Sequence, residues 1–326
     1  MSNTETKKKG FKLSGGTSLS LIIALIIEAI VFTIISPNHV FLTFKNFSNI
    51  LVNSSITCIM AAGSMVAMLL GSMDIAQYSV ATLSSIVAAK LLENGSSFIV
   101  AFIALIIVAV ICGAINGILF AKLKIPGVVV TMGTMQIYRG IAYILAQAKT
   151  IMIENPAWQV VGRTYIFGVI PVAVLLMIAV LLITYYILNY TSFGRKVYAV
   201  GGNRQASYLS GISPVKIGFG AMMYSAVCAG LGGFLLTSQM SAAIPSSGAG
   251  SEMSILSGII LGGISLAGGK GKVSGTILGV LVISTIKNGL TLCNVDTFIQ
   301  MIVEGSILIV AVLLDLTRSG AYKRQS

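Results

Sequence analysis

Long stretches of apolar residues, each closed by a short polar or glycine-containing break, repeat along nearly the whole chain. They cover residues 19–36, 47–70, 79–92, 98–120, 126–146, 167–189, 217–237, 252–267, 274–290 and 298–314. Roughly 17 to 25 apolar residues carry a helix across the hydrocarbon core of a bilayer. Transmembrane barrels show short alternating segments instead, and these runs do not alternate. The pattern predicts an all-α, polytopic transmembrane helix bundle of about ten spans. Pro37 and Asn38 break the first run, Gly71-Ser72-Met73-Asp74 closes the second, and Glu93-Asn94-Gly95-Ser96 turns the chain after the third.

Composition agrees with the pattern. Of 326 residues, 56% are hydrophobic and 9% charged, against roughly a quarter charged in a soluble domain, so lipid is part of the solvent. The net charge of +12 does not indicate nucleic acid, because the basic residues sit in short loops rather than on one face with aromatic partners. They mark orientation instead. With the N-terminal tail (1–18) in the cytoplasm, Lys7, Lys8, Lys9 and Lys12 share a side with Lys122, Lys124, Arg195, Lys196, Arg204, Lys216, Lys270, Lys272 and the C-terminal tail (316–326) with Arg318, Lys323 and Arg324. The other side keeps Lys45, Lys149 and Arg163. This positive-inside bias predicts both termini cytoplasmic and a transmembrane domain over 19–315. The first run is long, lacks a small-residue cleavage site, and reads as a retained span.

Glycine is abundant, at 35 residues. Gly113 with Gly117, Gly258 with Gly262, and Gly275 with Gly279 have the small-xxx-small spacing that lets helix backbones approach. The runs Gly230-Leu231-Gly232-Gly233 and Gly268-Gly269-Lys270-Gly271 are expected to loosen or break helices. Cys58, Cys112, Cys228 and Cys293 are far apart, which argues against metal binding and disulfides and leaves them as small hydrophobes. A weak echo joins Leu70-Gly71-Ser72-Met73-Asp74-Ile75-Ala76 to Leu261-Gly262-Gly263-Ile264-Ser265-Leu266-Ala267, and chance explains it best.

No catalytic residues are expected. The single histidine, His39, falls in a turn beside Pro37, so no Ser-His or Cys-His pair can assemble inside the bundle. Paired carboxylates at a useful spacing are missing. The stretch Gly269-Lys270-Gly271-Lys272-Val273-Ser274 lacks the order of a phosphate loop, so no cofactor is assigned and any ATP is bound by a partner.

Ionisable groups inside a membrane are costly and therefore candidates for function. Glu28, Asp74, Arg139, Glu252 and Glu304 qualify; Glu28 and Glu304 are also placed for a rival, ion-coupled carrier. Neutral polar residues cluster where a small hydroxylated solute can use them: Gln77 and Tyr78 beside Asp74, Asn116, and Thr131 with Gln136 in the fifth run. For each alone, interhelical hydrogen bonding is the blander explanation. The candidate path is therefore Asp74, Gln77, Tyr78, Asn116, Thr131, Gln136 and Glu252. The longest basic loop, 191–216, holds Asn203, able to cap a short helix through Leu209, and Gly211, able to end it. Tyr208 and Leu209 make that helix amphipathic, a shape suited to a partner's grip.

At this loop the chain resembles a known family. Phe193-Gly194-Arg195, Gly202-Asn203, Ala206 and Ser210-Gly211-Ile212 resemble the coupling segment of ribose-type permeases of ATP-binding-cassette importers. Asn116-Gly117, Ile125-Pro126 and Thr131-Met132-Gly133-Thr134-Met135 are similar to that family's central segment, and Leu261-Gly262-Gly263 through Gly275-Thr276 to its glycine-rich signature. Leu313-Leu314-Asp315 is similar to its ending. The resemblance implies a multi-pass protein of the inner membrane that passes a small sugar. It also implies a second permease copy (identical or not), a cytoplasmic ATPase and an external binding protein. Asn203, Arg204, Ala206, Tyr208, Leu209 and Gly211 would form the coupling helix. The block from Gly71 to Ser79 departs from the family pattern: Gln77 and Tyr78 are bulkier than expected. This opens the substrate to the superfamily's nucleosides, branched-chain amino acids and a furanosyl signalling molecule.

Overall fold

The structure, a computed structural model, describes residues 16–319; Lys7, Lys8, Lys9, Lys12, Lys323 and Arg324 lie outside the described residues. Each apolar run becomes a helix. They are α1 (Gly16–Ile35), α2 (Phe44–Leu69), α3 (Gln77–Glu93), α4 (Phe98–Gly117), α5 (Gly127–Leu145), α7 (Val172–Tyr190), α10 (Pro214–Met240), α11 (Glu252–Leu261), α12 (Val273–Leu292) and α13 (Thr297–Ser319). Short helices α6 (Pro156–Arg163), α8 (Ser192–Gly202) and α9 (Arg204–Leu209) fill the longer connections. Among the described residues, 7 helices are long and apolar enough to cross a membrane, and Glu252–Leu261 and Thr297–Leu313 are shorter apolar helices. The chain is thus a multi-pass, all-α membrane bundle.

Helix α10 is the hub. It packs along α2, α3 and α4 and reaches α6, through residues too small to hold the helices apart. Added side-chain carbon at Gly63 would lie 2.7 Å from Cys228 Cβ, and at Gly113 the same distance from Ala226 Cβ. The expectation that Gly230 to Gly233 breaks a helix is overturned, because α10 runs through them unbroken. Ala109, Met60 and Ala81 crowd the space where side chains would stand at Gly230, Gly232 and Gly233. Packing thus offsets the poor helix propensity of glycine. The glycine pairs of α11 and α12 meet each other: a Cβ at Gly279 would stand 2.1 Å from the Gly258 carbonyl oxygen, and one at Gly275 2.0 Å from that of Gly262.

Other boundaries move for local reasons. The run 252–267 is helical only to Leu261, where Gly263, at φ +87°, turns the chain out. Residues 262–272 then form the expected break. The run 167–189 starts late: Tyr165–Ile166 and Ile170–Pro171 pair as a small hairpin, β2 and β3, before α7. The polar loop around Trp158 is ordered structure, since Asn155 caps α6 by accepting from the Trp158 amide. The Trp158 ring is fully buried edge-on against Phe234, centroids 4.8 Å apart. Its Nε1 donates to Thr237 Oγ1 at 3.2 Å. Ile151–Met152 (β1) pairs with Ala242–Ala243 (β4) beside it.

The basic loops converge at one end of the bundle. Gly269 N donates to Leu69 O at 2.8 Å, Tyr198 Oη donates to Gly271 O at 3.0 Å, and Leu266 N donates to Asp315 Oδ2 at 3.2 Å. Burial raises the pKa of Tyr198, which keeps its phenol a neutral donor. At the opposite end Arg163 Nε donates to Gln239 O, close to α6 and β4.

Candidate functional site

Helix α2 ends at Leu69, Gly71 turns the chain at φ +76°, and the segment to Ala76 leads back into the bundle before α3 starts. Helix α3 therefore begins beside Ser225, midway along α10. The start is held by Asp74, which is 4% exposed. Its Oδ1 accepts from Ala76 N at 3.0 Å, and its Oδ2 accepts from Gln77 Nε2 at 2.9 Å and from Ser225 Oγ at 2.6 Å. Gln77 also donates to the Ser225 hydroxyl. Three donors on one carboxylate satisfy a group that is otherwise expensive to bury. Asp74 and Gln77 thus form a clamp between α3 and α10.

Asn116 and Thr131 also spend their polar groups inside the bundle. Tyr138 Oη donates to Asn116 Oδ1 at 3.0 Å, and Thr131 Oγ1 donates to Gly127 O at 2.9 Å and to Met73 O at 3.3 Å. Gln136 faces outward from α5, between Gly133 and Gly140, where a side chain would meet nothing within 4 Å. Glu252 is buried at the head of α11, its Oε1 2.6 Å from Arg139 Nη2.

Tyr78 stands apart from these, because it lines an open cavity of about 270 Å³. Asn53 and Thr57 of α2, Ser251 and Ser254 at the start of α11, and Ser284, Lys287, Asn288 and Thr291 of α12 supply its polar groups. Ile50, Ile56, Leu236 and Ile283 supply apolar wall. Lys287 Nζ lies 3.1 Å from Glu304 Oε1, and Ser254 Oγ donates to Glu304 Oε2 at 2.8 Å. The cavity therefore combines neutral hydroxyls and amides, one aromatic face and a compensated charge. Such a lining trades hydrogen bonds with a hydroxylated solute while imposing no net charge.

Composition and motif did not single out Asn53, Thr57, Ser284, Asn288 or Thr291. They lie on helices far apart in sequence, and only their spacing of about one turn on α12 hints at a shared face. The one histidine, His39, directs Nδ1 at Thr33 O from the 3₁₀ turn Pro37–Leu42 and is not among the residues that line the cavity.

At the basic end, α9 forms as its cap predicts. Asn203 Oδ1 accepts from Ala206 N at 2.9 Å, and Gly211, at φ +81°, closes the helix. Arg204, Ala206, Tyr208 and Leu209 are exposed, the last two at 65% and 77%. Helix α8, which the sequence did not separate from the loop, anchors this platform through buried Gly194, Val197 and Val200.

Comparison with known proteins places the whole chain among transport permeases. The ribose import permease protein RbsC of Bacillus subtilis is 33% identical over 318 residues, covering 97% of this chain and 98% of that protein. The D-allose transport system permease protein AlsC of Escherichia coli is 34% identical over 319 residues, covering 96% of this chain and 95% of AlsC. The L-arabinose transport system permease protein AraH of Escherichia coli is 34% identical over 294 residues, covering 89% of each. Residues 46–312 match the family model described as branched-chain amino acid transport system / permease component. That match spans most of the chain, and the chain belongs to the branched-chain amino acid transport system / permease component family.

Proposed function

We propose that this chain is the membrane-spanning permease of an ATP-binding-cassette importer, set in the cytoplasmic membrane, that passes a small neutral sugar. The observation that carries this reading is similarity along nearly the full length to permeases named for ribose, arabinose and allose transport. Alternating access is the mechanism, driven by ATP hydrolysis on partner ATPase chains that grip α9. An external binding protein delivers the sugar to the end carrying α6 and the β2–β3 hairpin. The open face of α5, with Gln136 between two uncrowded glycines, is turned toward a second permease copy.

The cavity beside Tyr78 supports the sugar reading. About 270 Å³ is ample for one monosaccharide, and its lining is dominated by neutral donors and acceptors. Of the two carboxylates that an ion-coupled carrier could use, Glu28 and Glu304, the second is already engaged by Lys287 and Ser254.

Uptake of radiolabelled ribose, arabinose and allose in cells with and without this chain tests the proposal. ATP-dependent accumulation of at least one of them, lost when the chain is removed, is the expected result. Accumulation that follows a proton gradient and survives ATP depletion would overturn it.

A further inference from the structure

Beyond the sugar path, a second cavity of about 290 Å³ lies on the outside of the bundle at its basic end, between the π turn Ile118–Lys122 and the start of α10. Its walls are apolar, formed by Ile118, Val215 and Phe219 over Gly117 and Ala121. Two ammonium groups border it, Lys122 and Lys216. Both are exposed, and neither has a carboxylate partner among the described residues. The groove is continuous with a lipid-facing stripe: Ile103, Ile107, Ile111 and Ile115 follow one another a helical turn apart on α4, each at least 41% exposed. The stripe runs into Ile118 and stops at Lys122.

We infer that this groove binds one anionic phospholipid, its phosphate between Lys122 and Lys216 and an acyl chain laid along the isoleucine stripe of α4. The occupant follows from the combination. An apolar trough leading into the bilayer selects a lipid tail, and paired cations at the membrane surface select a negative headgroup. The π turn matters because its extra residue widens the helix where it meets α10, and Gly117 lets Phe219 come within 2.8 Å of where a side chain would start. The positive end of the long α10 dipole, at Pro214, adds to the field of the two lysines. The inference rests on the importer reading only for which leaflet is involved.

The test is native mass spectrometry of the full-length chain released from nanodiscs holding equal phosphatidylglycerol and phosphatidylcholine. One phosphatidylglycerol per chain should survive activation that strips phosphatidylcholine, and millimolar inorganic phosphate should not displace it. Lys122→Gln and Lys216→Gln should each weaken retention about fivefold. Val215→Trp, which fills the trough and keeps both charges, should remove the lipid as well. Equal retention of the two lipids, or unchanged retention in the lysine variants, would overturn the inference. So would lysine variants that shed a bound protein subunit while keeping their lipid, since the groove would then be a protein contact. Lipid mass is read without transport, so this inference and the importer reading fail separately.

Discussion

Arg139, in the middle of α5, donates from Nη2 to Glu252 Oε1 across 2.6 Å and so ties α5 to the head of α11. The carboxylate is 5% exposed and the guanidinium side chain 16%. Removing one partner of such a pair leaves a buried charge alone, which costs about 3 kcal/mol or more. Arg139→Gln and Glu252→Gln should each lower thermal stability in detergent by that order, and the double variant should lose clearly less than their sum. Simple additivity in the melts would show that the pair does not act as a unit.

Helices α11 and α12 touch through four glycines, with the Gly279 position facing the Gly258 carbonyl oxygen at 2.1 Å. Gly279→Ala should therefore overpack the contact and cost about 1–3 kcal/mol. Gly133→Ala and Gly140→Ala on the open side of α5, where nothing lies within 4 Å, should leave the isolated chain unharmed or more stable by up to about 1 kcal/mol each. The melting temperatures of the three variants decide the matter.

Tyr208 and Leu209 contribute little to the bundle, being 65% and 77% exposed. Replacing both by alanine should leave the melt of the chain within experimental spread. The same change should abolish sugar-stimulated ATP hydrolysis in the assembled transporter. Intact transport in that double variant would remove α9 from the coupling role.

Asn288→Ala and Thr57→Ala each delete one hydrogen-bonding group from the cavity lining. A hydrogen bond to a sugar hydroxyl is worth about 1 kcal/mol net, so KM for uptake should rise about fivefold in each, with the maximal rate nearly kept. A fall in maximal rate at constant KM would place these residues outside the binding step.

Much of the fold was legible because membrane helices announce themselves by length and apolarity. Leu19 to Ile35 or Phe98 to Gly117 leave little choice of structure. Helix ends and glycine runs were harder. Gly230, Gly232 and Gly233 look like a breaker in sequence and become the smooth flank of α10, because Met60, Ala81 and Ala109 arrive from other helices. Trp158 reads as a loop residue until Phe234 and Thr237 close over it.

The site divided in the same way. The capped helix at Asn203 was legible because a cap is local, one side chain bonding an amide three residues on. Apart from Tyr78, the lining of the cavity was not, since polarity says that a side chain needs a partner but not where the partner stands. Asn116 found its partner on α5 and Thr131 one in the segment before α3, whereas Asn53, Lys287 and Asn288 are drawn together only when α2 and α12 pack.

The most direct test of the importer account is to purify the chain gently from its native membrane and measure sugar uptake after reconstitution into vesicles. The account predicts a stoichiometric ATPase subunit and uptake that requires both ATP and the external binding protein. A chain that purifies without an ATPase and still accumulates sugar under an ion gradient alone would contradict it.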